Sequence, residues 1–264
     1  FVGLIGFLDP LRSDVPAALA EARAAGIDVS MITGDYPATA LEIARQAGLD
    51  VAGGVLTGTD IATLSPAELS NRLATVRIFA RVKPQQKLAL VEAFKARGEV
   101  VAMTGDGIND APALERAHIG IAMGKRGTDV AREAADLVLL DDSFPAIVGG
   151  VRLGRRIFSN LRKALTYVMA IHVPIAGVAL LPILFGMPPL LYPMHVVMLE
   201  LIIDPVCSLV FESEPSDRSA MLRPPRSIKE PLFGRPQIIL AAVQGAVLLR
   251  SEEHTSELQS RYVI

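Results

Sequence analysis

Residues 164–185 and 190–211 are two long apolar stretches that contain no lysine or arginine and are separated only by the uncharged turn 186–189. No other feature limits the possible folds as strongly. A bilayer core is crossed by a helix of roughly 20 apolar residues, and no open backbone group can be left in lipid. The two stretches therefore predict a helical membrane hairpin. Basic residues gather on one side of it only. Arg152, Arg155, Arg156, Arg162 and Lys163 precede the first stretch, and Arg218, Arg223, Arg226, Lys229 and Arg235 follow the second. That asymmetry places both flanks on the cytoplasmic side. A third apolar run, 238–249, is too short to span alone.

The remainder reads differently. Residues 1–150 mix charged and apolar positions as a water-exposed domain does, although 51% of the whole chain is hydrophobic. Short apolar runs at 27–33, 77–80, 100–104, 119–123 and 137–140 alternate with helical patterns at 15–25, 37–47, 66–73, 84–97 and 110–116. Such alternation predicts an α/β Rossmann-like domain with a mostly parallel sheet, whose ligands bind beyond the carboxyl ends of the strands. A net charge of −2 gives no basis for nucleic-acid binding. The single cysteine, Cys207, excludes an internal disulfide framework. The run 1–8 reads as a buried strand, and a chain that opens in mid-strand is expected to be a piece of a longer one. At the other end, 250–264 turns abruptly polar. Its string RSEEHTSELQS looks like the translation of a sequencing-adapter oligonucleotide, so this segment is expected not to belong to the protein.

The densest chemistry lies in TGDGINDAPAL, from Thr104 to Leu114. Gly105 and Gly107 allow a tight turn and close approach of a ligand. Asp106 and Asp110 place two carboxylates within one turn, and Asn109 adds a neutral oxygen. Hard oxygen donors beside a phosphate suit Mg²⁺. A GDG turn taken alone could equally be an Asp-rich helix cap.

The full string resembles the hinge motif of the P-type ATPases, within the haloacid-dehalogenase-like superfamily. Other matches follow in order. Asp9-Pro10-Leu11-Arg12 resembles the DPPR-type motif, with Leu11 in place of the second proline. Thr33-Gly34-Asp35 resembles the TGD motif, and Phe79-Ala80-Arg81-Val82 with Lys87 resembles the FARV-x-P-x-x-K segment. The resemblance implies that 1–150 is the C-terminal part of a phosphorylation domain. It implies that 151–249 holds the stalk, the fifth and sixth membrane helices and the start of the seventh. It further implies that Asp106 holds Mg²⁺ with support from Asn109 and Asp110, and that Thr33 and Gly34 bind phosphoryl oxygens. Lys87 would neutralise the transferring phosphoryl group, while Asp9, Arg12 and Asp35 would serve nucleotide binding and closure. ATP is the implied substrate. The family's nucleophilic aspartate, in DKTGT, does not occur in these residues. It would lie upstream together with the nucleotide-binding and actuator domains, so the chain alone is expected to hydrolyse no ATP.

Polar residues inside a membrane span are costly and usually functional. His172 lies in the first span, and Glu200 and Asp204 lie four residues apart in the second, on one helix face. Two carboxylates that close in a low dielectric require a cation or a proton. Asp204-Pro205 is expected to break the helix and free carbonyl ligands. Among calcium pumps, the resemblance puts asparagine at His172, glutamate at Ile175, asparagine at Glu200, threonine at Ile203 and aspartate at Asp204. One ligand is thus kept and others differ. The loop residues 223–227 and 230–232 resemble the calcium-pump branch, which makes a calcium-like cation the leading expectation, with manganese, a monovalent cation or proton coupling as alternatives. A Mg²⁺-dependent soluble phosphatase, a regulatory membrane module and a lipid flippase are competing readings. The apolar spans oppose the first, and Glu200 with Asp204 opposes the last. The Ala/Arg-rich composition points to a bacterial plasma membrane protein of several spans.

Overall fold

The computed structural model describes residues 10–215, 217, 219–227 and 229–262. Asp9 and the strand expected at 1–8 lie outside these residues, as does Arg218. The chain divides into two compact units, Phe1–Gly150 with Met221–Pro224, and Val151–Ala220 with Pro225–Ile264.

In the first unit, helices α1 (Val15–Ala24) and α2 (Pro37–Ala47) flank β1 (Met31–Ile32). Then come β2 (Val55–Thr57), α3 (Gly58–Thr63), α4 (Pro66–Leu73), β3 (Ile78–Ala80) and α5 (Pro84–Ala96). The second half holds β4 (Ala102–Gly105), α6 (Ala111–Arg116), β5 (Ile119–Met123), α7 (Asp129–Glu133) and β6 (Leu137–Leu139). The strands form two three-stranded parallel sheets, ordered β1-β3-β2 and β4-β5-β6, rather than the single sheet expected. Ile32 packs against the core clusters of both. Phe79, Leu73 and Leu90 fill one core, and Leu114, Val91 and Ala122 the other.

Local chemistry sets the element ends. Thr57 and Ser65 open α3 and α4 as capping boxes with Asp60 and Glu68, each satisfying orphan N–H groups at a helix start. Both boxes hold their acids below the usual carboxylate range, chiefly through the hydroxyl hydrogen bonds of Thr57 and Ser65. Proline occupies the first turn of α1, α2, α4 and α5, where its missing N–H removes no bond. The run expected over 27–33 keeps only Met31 and Ile32 in the ladder. Asp28, at its start, is drawn to Arg77 at 2.7 Å.

The second unit contains most of α8 (Phe144–Leu184), all of α9 (Pro193–Ser213) and α10 (Arg235–Tyr262). Helices α8 and α9 are long and apolar enough to cross a membrane. Leu180, Ile183, Leu201, Ile202, Leu209 and Val210 stay exposed along them, as lipid-facing side chains would. The expected break at Asp204-Pro205 does not occur, and α9 runs through it. One proline removes a single i→i−4 bond, and the intact turns on either side hold the helix. Pro174 and Pro182 are likewise carried within α8. Helix α10 continues past Leu249 into the polar segment to Tyr262, whose Glu, Leu and Gln residues are good helix formers.

Small residues draw α8 and α10 together. A Cβ at Gly245 would lie 2.5 Å from Val173 Cβ and 2.6 Å from the Ala170 carbonyl oxygen. Close backbone approach of this kind replaces hydrophobic driving force inside lipid. The basic collar is largely engaged. Arg162 pairs with Glu230 at 2.6 Å, and Lys163 pairs with Glu214. The guanidiniums of Arg162 and Arg226 lie 4.9 and 4.2 Å from the Phe158 ring centre, within cation–π range.

Candidate functional site

Thr33 sits just past the carboxyl end of β1. Its N–H donates to the Phe79 carbonyl at 2.9 Å and prolongs the pairing with β3. Its hydroxyl donates to Asp35 Oδ2 at 2.9 Å and accepts from the Asp35 N–H at 3.1 Å, closing the Thr33-Gly34-Asp35 turn on itself. Two backbone bonds fasten this turn to the one after β3. Arg81 N–H donates to the Asp35 carbonyl at 3.1 Å, and Val82 N–H to the Thr33 carbonyl at 3.2 Å. Arg81 adopts a left-handed φ of 56°, uncommon for a side-chain-bearing residue, and its guanidinium lies 4.5 Å from the Tyr36 ring centre.

Helix α5 starts at this junction and carries Lys87 across to the turn after β4. Lys87 Nζ lies 2.6 Å from Asp110 Oδ1, and the two side chains are only 20% and 8% exposed. The other oxygen, Asp110 Oδ2, accepts from the backbone N–H groups of Asp106 at 3.4 Å and Gly107 at 3.3 Å. Gly105 is required here, since a Cβ would lie 2.5 Å from Asp110 Cβ. On the far side, Thr128 N–H donates to the Asp106 carbonyl at 2.9 Å, while the Thr128 hydroxyl caps α7.

This arrangement divides the three hinge-motif residues Asp106, Asn109 and Asp110 by role. Asp110 has both oxygens committed within the protein. Asp106 and Asn109 are exposed, and their side chains make no hydrogen bond or ion pair with the described residues. An exposed carboxylate and amide oxygen on a turn fixed from beneath fit Mg²⁺, which takes few protein ligands and keeps its waters. Among the described residues, no group of three or more His, Cys, Asp or Glu could hold a metal. A backbone bond thus ties the Thr33 turn to Val82, and the Lys87–Asp110 pair ties α5, which begins two residues later, to the turn that carries Asp106.

Arg12 stands apart. Its guanidinium donates to the Asp142 carbonyl at 2.7 Å and lies 3.7 Å from Asp14, with no hydrogen bond to Thr33, Lys87 or Asp106. Asp142 was not singled out in the sequence, although Asp141-Asp142-Ser143 is a turn-forming string. Its φ is 53°, and its carboxylate accepts from Lys125 N–H at 2.9 Å and Arg126 N–H at 3.0 Å. Burial pushes this carboxyl up, but the N–H donors of Lys125, Arg126 and Gly124 and the Arg126 charge together bring it below its ordinary value. Asp142 thus pins the loop that leads to Thr128 and hence to Asp106.

In the second unit, His172 of α8 and Glu200 of α9 meet, with Nε2 3.3 Å from Oε1. The other ring nitrogen, Nδ1, lies 2.7 Å from the Val168 carbonyl oxygen. Asp204 lies one turn beyond Glu200 on α9, is exposed, and takes no part in this pair.

Two families match the chain. Residues 1–118 match the haloacid dehalogenase-like hydrolases, and residues 188–250 match the C-terminus of cation transporting ATPases. The chain is 40% identical over 252 residues to "Calcium-transporting ATPase 1" of Yarrowia lipolytica, covering 94% of this chain and 27% of that protein. It is 43% identical over 236 residues to "Probable cation-transporting ATPase F" of Mycobacterium bovis, covering 88% and 26%. It is 39% identical over 278 residues to "Sodium/potassium-transporting ATPase subunit alpha-A" of Artemia franciscana, covering 94% and 28%. The chain thus spans about a quarter of the length of the curated relatives it matches.

Proposed function

We propose, for a chain that belongs to the P-type ATPases of the haloacid-dehalogenase-like superfamily, a part in an ATP-driven cation pump of the membrane. In this reading the reaction passes through an aspartyl phosphate, formed on an aspartate of the longer protein and hydrolysed in a second step. The observation that supports it is the Lys87–Asp110 pair, which ties helix α5 to the turn carrying Asp106.

Each residue then has a definable task. The Thr33 and Gly34 turn offers polar groups to phosphoryl oxygens at the carboxyl end of β1. Lys87 brings a cation held in place before any phosphate arrives, and a preorganised charge needs no rearrangement during transfer. Asp110 fixes that cation and the N–H groups of Asp106 and Gly107. Asp106 and Asn109 would hold Mg²⁺, which when bound supplies positive charge to the phosphoryl oxygens. Arg12, whose guanidinium holds the Asp142 carbonyl, serves nucleotide binding and closure.

In the membrane unit, Glu200 with His172 and Asp204 forms the cation pathway, consistent with the cation-transporting names of the relatives. The chain would lie in a bacterial plasma membrane as several spans, with 1–150 in the cytoplasm. Nucleotide-binding and actuator domains of the same polypeptide are its partners. A soluble Mg²⁺-dependent phosphatase would share the Asp106 edge but has no use for α8 and α9, with their polar pair amid exposed apolar surface.

Phosphorylation of the intact pump by ATP tests the reading. Asp106→Asn should lower acid-stable phosphoenzyme by at least about a hundredfold, the scale on which a lost electrostatic stabiliser acts. Phosphoenzyme at the unmutated level in that variant would overturn it.

A further inference from the structure

Three helix ends meet at one level in the second unit, and hydrogen bonds fix that level. On α8, Asn160 Nδ2 donates to the carbonyl of Glu214, just past α9, at 3.1 Å, and Lys163 pairs with the Glu214 carboxylate. Arg162 Nε donates to the Leu232 carbonyl at 3.3 Å, three residues before α10 begins. The apolar part of α8 starts at Ala164, that of α9 ends at Phe211, and that of α10 starts at Ile238. The loop 225–234 is therefore held where apolar helix gives way to polar chain, which is the depth of lipid headgroups.

Charge at this level is unbalanced. Residues 152–163, 212–214 and 225–235 hold eight lysines and arginines and three glutamates. Lys163 takes up Glu214, and Arg162 takes up Glu230. The guanidiniums of Arg162 and Arg226 share the Phe158 ring. Two cations gathered on one ring repel each other, and the one carboxylate there offsets only one of them. Arg226 is left with a neutral acceptor, since its Nη1 donates to the Glu230 carbonyl at 3.0 Å. Among the described residues, Arg226, Lys229 and Arg235 form no ion pair, and all three are exposed.

The geometry suits a phosphate. The Phe158 ring and the Glu230 carbonyl hold Arg226 in place while leaving its Nε and Nη2 edge open. That edge is the planar fork that grips two phosphate oxygens at once. Lys229 and Arg235 bring two more cations from the same loop and the start of α10. Just beyond Arg235, Ile238 and Ile239 expose apolar surface. An acidic protein segment would satisfy the cations but not that surface, whereas a phospholipid offers a phosphate and acyl chains together.

We propose that Arg226, Lys229 and Arg235 bind the headgroup of an anionic phospholipid in the cytoplasmic leaflet, with Phe158 and Glu230 positioning Arg226. This rests on the membrane reading of α8 and α9 and is independent of which ion is carried. The test uses the intact protein in vesicles of equal parts phosphatidylcholine and phosphatidylglycerol, with the lipid it retains identified by native mass spectrometry. The unmutated protein should retain phosphatidylglycerol over phosphatidylcholine. Replacing Arg226, Lys229 and Arg235 together by glutamine should lower that ratio at least about fivefold, the scale of one basic residue lost at an anionic surface. If the triple variant does not fold, Lys229→Gln and the salt dependence of the unmutated protein decide, and both should lower the ratio. A ratio unchanged by substitution, or one insensitive to salt, would overturn the proposal. Displacement of the lipid by glycerol 3-phosphate or by polyglutamate would also overturn it, in favour of a free phosphate or an acidic protein segment. Failure of the unmutated protein to insert into vesicles of any composition would instead remove the membrane reading.

Discussion

The two chemical regions of this chain handle charge in opposite ways. At the phosphoryl edge, Lys87 and Asp110 neutralise each other at 2.6 Å, and the second carboxylate oxygen is taken up by backbone N–H groups. In the apolar helices, Glu200 faces one imidazole and Asp204 lies outside that pair. On the proposed reading, the first region would hold a multiply charged group without rearranging, because its own charges are already paired. The second carries two carboxylates and no lysine or arginine, which on the proposed reading suits a passing ion. In that reading a grip and a pathway differ in just this respect, and the difference follows from which side chains the sequence places within reach.

The largest expected effect breaks the first region's self-sufficiency. Lys87→Met or Asp110→Leu alone leaves a buried charge uncompensated and should cost about 3–5 kcal/mol, read as a shift in denaturation midpoint of the intact protein. Combining the two should restore most of that stability without restoring phosphorylation. Additive losses in the double variant would show that the two residues do not act as a pair. Next in size is Gly105→Ala, which drives a methyl into Asp110 and should cost about 1–3 kcal/mol while lowering phosphoenzyme formation. Ser65→Ala should cost about 1 kcal/mol through its lost helix cap and leave phosphorylation unchanged.

The smallest effect concerns pH. Asp142 titrates below its ordinary value when folded, so its contribution is fully present above the usual carboxylate range. That contribution is lost as pH falls through the lowered value. Asp142→Asn should therefore flatten the acid limb of a stability–pH curve by lowering stability at neutral pH, with little change below the carboxylate range. An unchanged acid limb would mean that the N–H groups of Lys125 and Arg126 do not distinguish the charged carboxylate.

Much of the candidate phosphoryl edge is legible as strings. Thr33, Lys87, Asp106 and Asp110 sit in local motifs whose turn chemistry is set by neighbouring residues, and α2, α4 and α6 follow from proline and serine starts. Long-range pairing was not legible. Nothing in the sequence says that Asp110 spends both oxygens on Lys87 and the backbone, or that Arg12 reaches the Asp142 carbonyl 130 positions away. Strand β2 and helix α3 were missed, although Thr57 and Asp60 carry a capping-box signal, because each element is short. The break at Pro205 failed for a different reason: local propensity predicts a lost bond, while the length of α9 decides whether the helix survives it. Asp204 was grouped with Glu200 by helical spacing, but only Glu200 reaches across to α8.

ATP-driven phosphorylation of the intact protein, measured across a panel of cations, tests the proposed division most directly. Asp106→Asn should remove phosphoenzyme whichever ion is supplied. Glu200→Gln should retain the chemistry but change which ion supports it, or the concentration required, by at least about tenfold. Phosphoenzyme that persists in Asp106→Asn, or a Glu200→Gln variant whose ion dependence matches the unmutated pump, would contradict the division between grip and pathway.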